Sequence, residues 1–234
     1  MITFYEFDDQ RSQSDALAKA VGDALQASLT AQAASASNDP SHVTLAVSGG
    51  SSPRPFLQTL STQRFDWAHI AVTLVDDRWV PETDDASNVR FARETLLQHA
   101  ASSAAFWPLV DTVQALDAHV AALNANPARM LPDVAILGMG EDGHTASIFA
   151  DSPEWDDAIT TTARFIAVHP GSAQHARVSL SLFALKQVDH LFLLIAGSRK
   201  RDVLNSAAAT LQRNAISQLA NATDVKLDVY WSAN

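Results

Sequence analysis

The sequence predicts an α/β protein built on a mostly parallel, Rossmann-like sheet with helices on both faces. Three observations carry that expectation. Apolar runs of strand length alternate with segments of helical period along the chain. A strand, then a glycine-rich or acidic turn, then a helix recurs at least three times, and parallel strands require such crossovers. The 234 residues are 47% hydrophobic and 18% charged, which supplies a sizeable core and speaks against disorder. Residues 1–234 are therefore read as one α/β domain.

The elements follow in order. Ile2 to Phe7 reads as a short strand. Ser14 to Ala34 reads as a long helix with an apolar stripe through Leu17, Val21, Ala24, Leu25 and Leu29, capped by Ser12 or Ser14. Ser35 to Ser41 is small, polar and Pro-containing, hence a loop. Val43 to Val47 is a buried strand that stops at Ser48-Gly49-Gly50. Pro53 or Pro55 suits the first turn of the next helix, which carries Phe56, Leu57 and Leu60. Ile70 to Val75 is a strand ending in Asp76-Asp77-Arg78, and Ser87 or Asn88 caps a helix through Leu97. Asp111 to Leu123 is helical, and Pro127 to Pro132 links into the second half. Val134 to Leu137, Phe165 to Val168, Leu191 to Ile195 and Leu227 to Trp231 are strands, and Ser198 caps a helix through Leu211.

Charge and composition exclude several functions. The net charge of −10 speaks against a nucleic-acid scaffold, because phosphate neutralisation needs a basic face. The absence of Cys excludes disulfides, thiolate zinc sites and a Cys nucleophile. The densest apolar run, Leu191 to Ala196, is far short of the ~20 residues of a membrane helix. Met1 to Phe7 lacks the pattern of a secretory signal, so a cytoplasmic location is expected. His99, His119, His169, His175 and His190 lack metal-ligand spacing, and no metal is expected.

In parallel sheets ligands bind beyond the carboxyl ends of the strands, so the loops at 48–53, 76–81 and 138–145 should meet on one edge. Ser48-Gly49-Gly50-Ser51-Ser52-Pro53 is either a plain tight turn or a cradle whose free N–H groups and hydroxyls take an anion. Gly138-x-Gly140-x-x-Gly143 mimics a dinucleotide fingerprint, but Glu141 and Asp142 would set two negative charges beside a pyrophosphate. It also mimics a phosphate-binding P-loop, with His144 in place of the lysine. A different reading starts from Asp142 and His144. A neutral imidazole can take a proton from water, and a carboxylate two residues away can orient it. The alternative is a His that caps or packs. Arg78 offers planar donors to phosphate or a carbonyl, and Asp76 can accept from sugar hydroxyls, although an Asp-Arg neighbour is more often a surface pair. Arg177 and Lys200 each follow or open a strand and can reach an anion there, or remain solvated charge.

Taken together, these motifs resemble those of 6-phosphogluconolactonases, in the family's order. The resemblance rests on Val47-Ser48-Gly49-Gly50-Ser51-Ser52-Pro53, on Asp76-Asp77-Arg78-Trp79-Val80-Pro81 with Ser87-Asn88, and on Gly138-Met139-Gly140-Glu141-Asp142-Gly143-His144-Thr145-Ala146-Ser147-Ile148-Phe149. Arg177 to Leu182 and Gly197-x-x-Lys200 are similar to later motifs, so the likeness runs from about Val43 to Lys200. It implies the fold of glucosamine-6-phosphate deaminase, ribose-5-phosphate isomerase and CoA transferases. It implies hydrolysis of 6-phospho-D-glucono-1,5-lactone, the second step of the oxidative pentose phosphate pathway, without a cofactor. His144 matches the general base and Asp142 its neighbour. Gly49, Gly50, Ser51, Ser52, Asp76, Arg78, Arg177 and Lys200 match substrate-contacting positions. The only partner expected is the sugar-phosphate lactone, on a monomer or weak homodimer, with no nucleic acid and no membrane.

Departures from the family pattern are Asp77 for Glu, Ser52 for Thr, Ala150 for Pro, and a tail Trp231-Ser232-Ala233-Asn234 without the usual Asp. Two rivals remain at this stage. An amino-sugar-phosphate deaminase of the same fold would carry a different run after the His and a Tyr-like position at Arg78, and ammonia release distinguishes it. A non-catalytic sugar-phosphate sensor would bind 6-phosphogluconate without opening the lactone.

Overall fold

A computed structural model describes residues 1–34 and 42–233. The expected loop at Ser35 to Ser41 and the last residue, Asn234, lie outside the described residues. Among the described residues the chain runs β1 (Ile2–Phe7), α1 (Gln10–Ala34), β2 (Val43–Val47), α2 (Arg54–Thr62), β3 (Ile70–Leu74), β4 (Asp76–Arg78), α3 (Asn88–Thr95), β5 (Ala105–Phe106), α4 (Leu116–Ala125) and β6 (Val134–Leu137). It continues through α5 (Trp155–Thr160), β7 (Phe165–Val168), β8 (Arg177–Leu180), α6 (Leu182–Lys186), β9 (His190–Ala196), α7 (Ser198–Ala209), α8 (Ala215–Ala220) and β10 (Leu227–Ser232).

Seven strands form one sheet in the order β1-β10-β9-β6-β2-β3-β5, and every neighbouring pair is parallel. All residues of β2, β3 and β6 are buried, which a parallel sheet requires when both faces are covered. The α/β reading of the sequence holds. The chain leaves β2 for β3 on one side, whereas β6 on the other side leads outward to β9 and β10. The β2–β6 boundary is therefore a topological switch point, where the turns at the carboxyl ends diverge and leave a crevice.

The second sheet was not foreseen. Asp76 to Arg78 is not a loop but β4 of a small antiparallel sheet, β4-β8-β7, with Asp76 opposite Ser179 and Arg78 opposite Arg177. It grows from the end of β3: Val75 N–H bonds to Val47 O at 3.0 Å, and Leu180 N–H bonds to Val75 O at 2.9 Å. Three residues carry no readable period, so sequence pattern could not reveal it.

Several element boundaries shift for local reasons. Helix α1 begins at Gln10, because Asp9 accepts from both the Ser12 N–H and hydroxyl at 2.9 Å. Ser14, an expected cap, is buried inside the helix. Those Ser12 bonds hold the Asp9 carboxyl below its usual range. Ser87 caps α3 by accepting from Arg90 N–H at 3.2 Å. Helix α4 starts at Leu116 rather than Asp111, whose carboxylate turns back to Val113 N–H. Gly197, at φ 82°, rather than Ser198, occupies the cap of α7. No helix follows β6 directly; the chain continues in turns up to Trp155.

No helix among the described residues is long and apolar enough to cross a membrane. Beneath the outer strands sits a buried amide. Gln13 Nε2 donates to Ile195 O and Tyr230 O at 2.8 Å each, and its Oε1 accepts from Ser232 at 3.2 Å. It ties α1 to β9 and β10. Gln13→Leu removes all three hydrogen bonds from a buried site and should lower stability by about 2–3 kcal/mol, measured by urea unfolding with the m value unchanged.

Candidate active site

At the β2–β6 switch point lies a cleft of about 310 Å³. Its wall gathers Ser48 to Pro53 after β2, Asp76 and Arg78 of β4, Gly138 to Gly140 and His144 after β6, Arg177 of β8 and Lys200 of α7. The three turns expected to meet at one edge do meet. Asp142 is not in the wall but stands behind His144.

The turn after β2 is shaped by two glycines. Gly50 sits at φ 99°, a region other residues rarely adopt. A Cβ on Gly49 would lie 1.9 Å from Asn88 Oδ1, so Gly49 is the floor on which Asn88 rests. Ser48 joins the two diverging strands: its hydroxyl donates to Ile136 O at 2.9 Å and accepts from Gly138 N–H at 3.3 Å. The N–H groups of Gly50, Ser51 and Ser52 donate to no group among the described residues, and α2 follows with Pro53 at its cap. Such a turn before a helix suits an anion.

Arg78 is aimed by a scaffold rather than by an opposite charge. Its Nη1 donates to Asn88 Oδ1 at 2.7 Å and Ala86 O at 3.0 Å, and Asn88 Nδ2 donates to Asp76 O at 2.8 Å. Beneath them the buried Asp77 carboxylate accepts from the backbone N–H of Asn88 at 2.7 Å, Arg78 at 2.8 Å and Val89 at 3.1 Å. It thus clamps β4 to the N-terminus of α3, where the helix dipole favours a negative charge. Asp77 and Asn88 are the scaffold residues that sequence reasoning undervalued. Their signal was Ser87-Asn88 ten residues after Arg78, but Asp77 looked like one half of a surface pair.

Arg177 is buried, and its guanidinium meets Ser147 Oγ at 3.3 Å and Asp76 Oδ2 at 3.7 Å. Ser147 Oγ also donates to Asp76 Oδ2. Asp76 therefore lines the cleft with one carboxylate oxygen already engaged inside the protein. Burial pulls Arg177 below its usual pKa range while Asp76 holds it up. Lys200 projects from the first turn of α7 and makes no ion pair among the described residues. Its neighbours differ: Arg199 pairs with Glu141 at 3.1 Å, and Arg201 pairs with Glu6 and covers Trp231. Trp79 lies against His119, with ring centres 5.4 Å apart.

His144 faces the cleft, and its Nδ1 bonds to Asp142 Oδ1 at 2.6 Å. That bond is the main reason the Asp142 carboxyl lies below its usual range. With Nδ1–H given to Asp142, Nε2 is left as the basic nitrogen. The loop admits this pair only because residue 140 is glycine. A Cβ there would lie 2.3 Å from both Asp142 Oδ1 and the His144 ring. Gly140 N–H to His144 O at 2.9 Å and Thr145 Oγ1 to Gly138 O at 2.7 Å close the loop on itself. The residues also include no cluster of three His or acidic side chains that could hold a metal, among those described.

A cleft at the carboxyl edge of a parallel sheet is where Rossmann-like α/β proteins take small polar ligands, and this chain has the fold of that class. Comparison with known proteins narrows the class. The family model for glucosamine-6-phosphate isomerases/6-phosphogluconolactonase matches residues 13–231, and the chain belongs to that family. It is 36% identical to the 6-phosphogluconolactonase of Neisseria meningitidis over 99% of this chain and 100% of that protein. With the 6-phosphogluconolactonase of Rhizobium meliloti the identity is 34%, over 97% of each. The crystal structure of a 6-phosphogluconolactonase from Shewanella baltica superposes with a TM-score of 0.89 at 34% identity, covering 100% of this chain and 98% of that one. A monomeric glucosamine-6-phosphate deaminase shares the fold at a TM-score of 0.74 and 14% identity, over 99% of this chain and 98% of that one.

Burial raises the Asp77 pKa from 3.8 to about 6, against the pull of its backbone donors. Asp77 thus binds its proton more tightly folded than unfolded. The stability this confers is complete below the ordinary carboxylate pKa and is lost as pH rises through about 6. Between about pH 4 and about pH 7.5 the wild type should therefore lose on the order of 2–3 kcal/mol that Asp77→Asn does not lose. Urea unfolding of both proteins at the two pH values measures the difference.

Proposed function

We propose that this protein hydrolyses 6-phospho-D-glucono-1,5-lactone to 6-phosphogluconate, as in the oxidative pentose phosphate pathway, with His144 as general base. The observation that carries the reading is the Asp142–His144 pair at the wall of a cleft rich in cations, a pairing that leaves Nε2 as the basic nitrogen. Full-length identity of 34–36% to relatives named 6-phosphogluconolactonase supports the substrate.

The phosphate of the substrate lies against the open N–H groups of Gly50, Ser51 and Ser52, the Gly49 turn and the Lys200 ammonium. Its binding orients the lactone, the role that groups remote from the reacting centre commonly serve. His144 Nε2 takes a proton from water as the oxygen bonds to C1. Arg78 and Arg177, or a backbone N–H, face the oxygen on which negative charge develops. The bond from C1 to the ring oxygen then breaks, and the imidazolium returns its proton to that oxygen. Asp142 keeps the ring in one tautomer and offsets the charge of the imidazolium. Asp76, in the wall of the cleft, fixes Arg177. No cofactor enters the scheme.

His144→Ala should lower kcat by ~10²–10⁴-fold with the fold intact, since a general base contributes that much. A lactone-hydrolysis assay with the spontaneous rate subtracted decides it, and an unchanged kcat removes His144 from its role. Lys200→Ala should instead raise KM by ~10-fold or more and leave kcat within ~3-fold, as expected for an ammonium that holds a remote phosphate. Equal losses in kcat and kcat/KM would assign Lys200 to the reacting centre.

A further inference from the structure

The hydrogen bond from Asp142 fixes one edge of the His144 ring but not its plane. An imidazole held at Nδ1 alone can still roll about that bond and carry Nε2 away from the cleft. A second contact removes this freedom. The His144 ring lies flat on Phe149, with ring centres 4.1 Å apart and planes 25° apart. Phe149 is itself immobilised: it is buried, it follows the Thr145–Ile148 bridge, and Ser147 N–H beside it bonds to Ser179 Oγ at 3.1 Å. The guanidinium of Arg177 lies over the same phenyl ring, 5.1 Å from its centre. One phenyl ring thus contacts both the imidazole and a cation of the cleft.

We propose that Phe149 is a positioning residue for the reaction, setting the plane of His144 and stabilising the imidazolium that forms when Nε2 accepts a proton. The proposal rests on the reading of His144 as general base. Its physical basis is the negative face of the phenyl quadrupole, which attracts a cation stacked upon it. Neutral imidazole gains little from that face, so the ring acts mainly on the protonated state. The same effect opposes the electrostatic cost of placing a second cation near Arg177, and Asp76 at 3.7 Å from Arg177 offsets part of that cost. The other charges around His144 are Asp142 and Glu141 of its own loop, Arg78 of β4, and Lys200 and Arg199 of α7, with Glu141 paired to Arg199.

The test is an NMR titration of the His144 ring, assigned with His144→Ala, in the wild type, in Phe149→Leu, and in protein carrying pentafluorophenylalanine at 149. The fluorinated ring keeps the shape and inverts the quadrupole, so it reports the electrostatic effect even if Phe149→Leu fails to fold. The midpoint should fall by ~0.5–1 pH unit in both variants, the range a stacked cation supplies. The acid limb of kcat/KM should move by the same amount, with KM within ~2-fold. Phe149→Leu should further lower the plateau kcat by ~10-fold, because the ring loses its orientation. A midpoint that stays within ~0.2 pH unit of the wild type in the fluorinated protein would overturn the proposal and leave Phe149 as core packing. The titration needs no turnover. A wild type that titrates as expected but opens no lactone would sink the proposed reaction separately from the stacking.

Discussion

Everything at the site depends on the divergence of the chain between β2 and β6. Parallel strands end in turns that must reach helices, and where neighbouring strands send their chains to opposite sides those turns cannot close over each other. Ser48 sits at that parting, bonded to Ile136 O on one side and Gly138 N–H on the other, and keeps the two strand ends level. The glycine turn and the histidine loop therefore face one another across a gap that the sheet itself creates. Their chemistry is local, but their meeting is a property of strand order.

The small antiparallel sheet supplies the third side of the cleft, and it does so with buried charge. Asp76, Asp77 and Arg177 are all buried on or next to its paired strands. Burying a charge without partners costs several kcal/mol, and each of the three finds partners of a different kind, although the buried Nε of Arg177 has none among the described residues. Asp77 accepts only backbone N–H groups, Asp76 accepts from Ser147 and lies near Arg177, and Arg177 spreads its charge over Asp76, Ser147 and the face of Phe149. Asp76 and Arg177 depend on each other through Ser147, while the Asp77 clamp on the start of α3 stands apart. Together the two arrangements hold Arg78 and Arg177 in register on three residues of strand, without a long hydrogen-bonded ladder. The clamp also gives the family-atypical Asp77 a physical setting. The shorter side chain still reaches the first N–H groups of α3, because β4 runs directly beneath that helix start.

Much of the fold was legible in the chain because several of its strands are short, mostly apolar runs closed by a polar residue or glycine. Val43 to Val47, Val134 to Leu137 and Phe165 to Val168 were bounded correctly for that reason. What was missed lacks a period: β4, β5, and the helices α5, α6 and α8 of five or six residues show too few turns for an apolar stripe to repeat. The cleft was legible to a similar degree. Gly49, Arg78, His144, Arg177 and Lys200 all lie near strand ends, and the strand-end rule brings them together whatever each one does. Asn88 and Phe149 were quoted only as parts of motifs, since their contacts with Gly49 and His144 depend on backbone geometry that residue spacing does not encode. The Asp142–His144 bond was a reasonable guess from a gap of two, but only Gly140, which leaves room for both side chains, makes it possible.

A chain with a net charge of −10 is an unpromising host for an anion. The cleft resolves this by neutralising its own carboxylates inside the protein while leaving its cations open. Asp142 is committed to His144, and Asp76 to Ser147 and Arg177. Arg78 is held by two neutral oxygens, so its positive charge is aimed without being cancelled. Lys200 is left unpaired among the described residues, while Arg199 and Arg201 on either side are not. Distant surface carboxylates count for little, because salt screens exposed charges beyond ~8–10 Å. The field that a ligand meets is set by the nearest few groups, and here those groups are chosen so that the local sign opposes the global one.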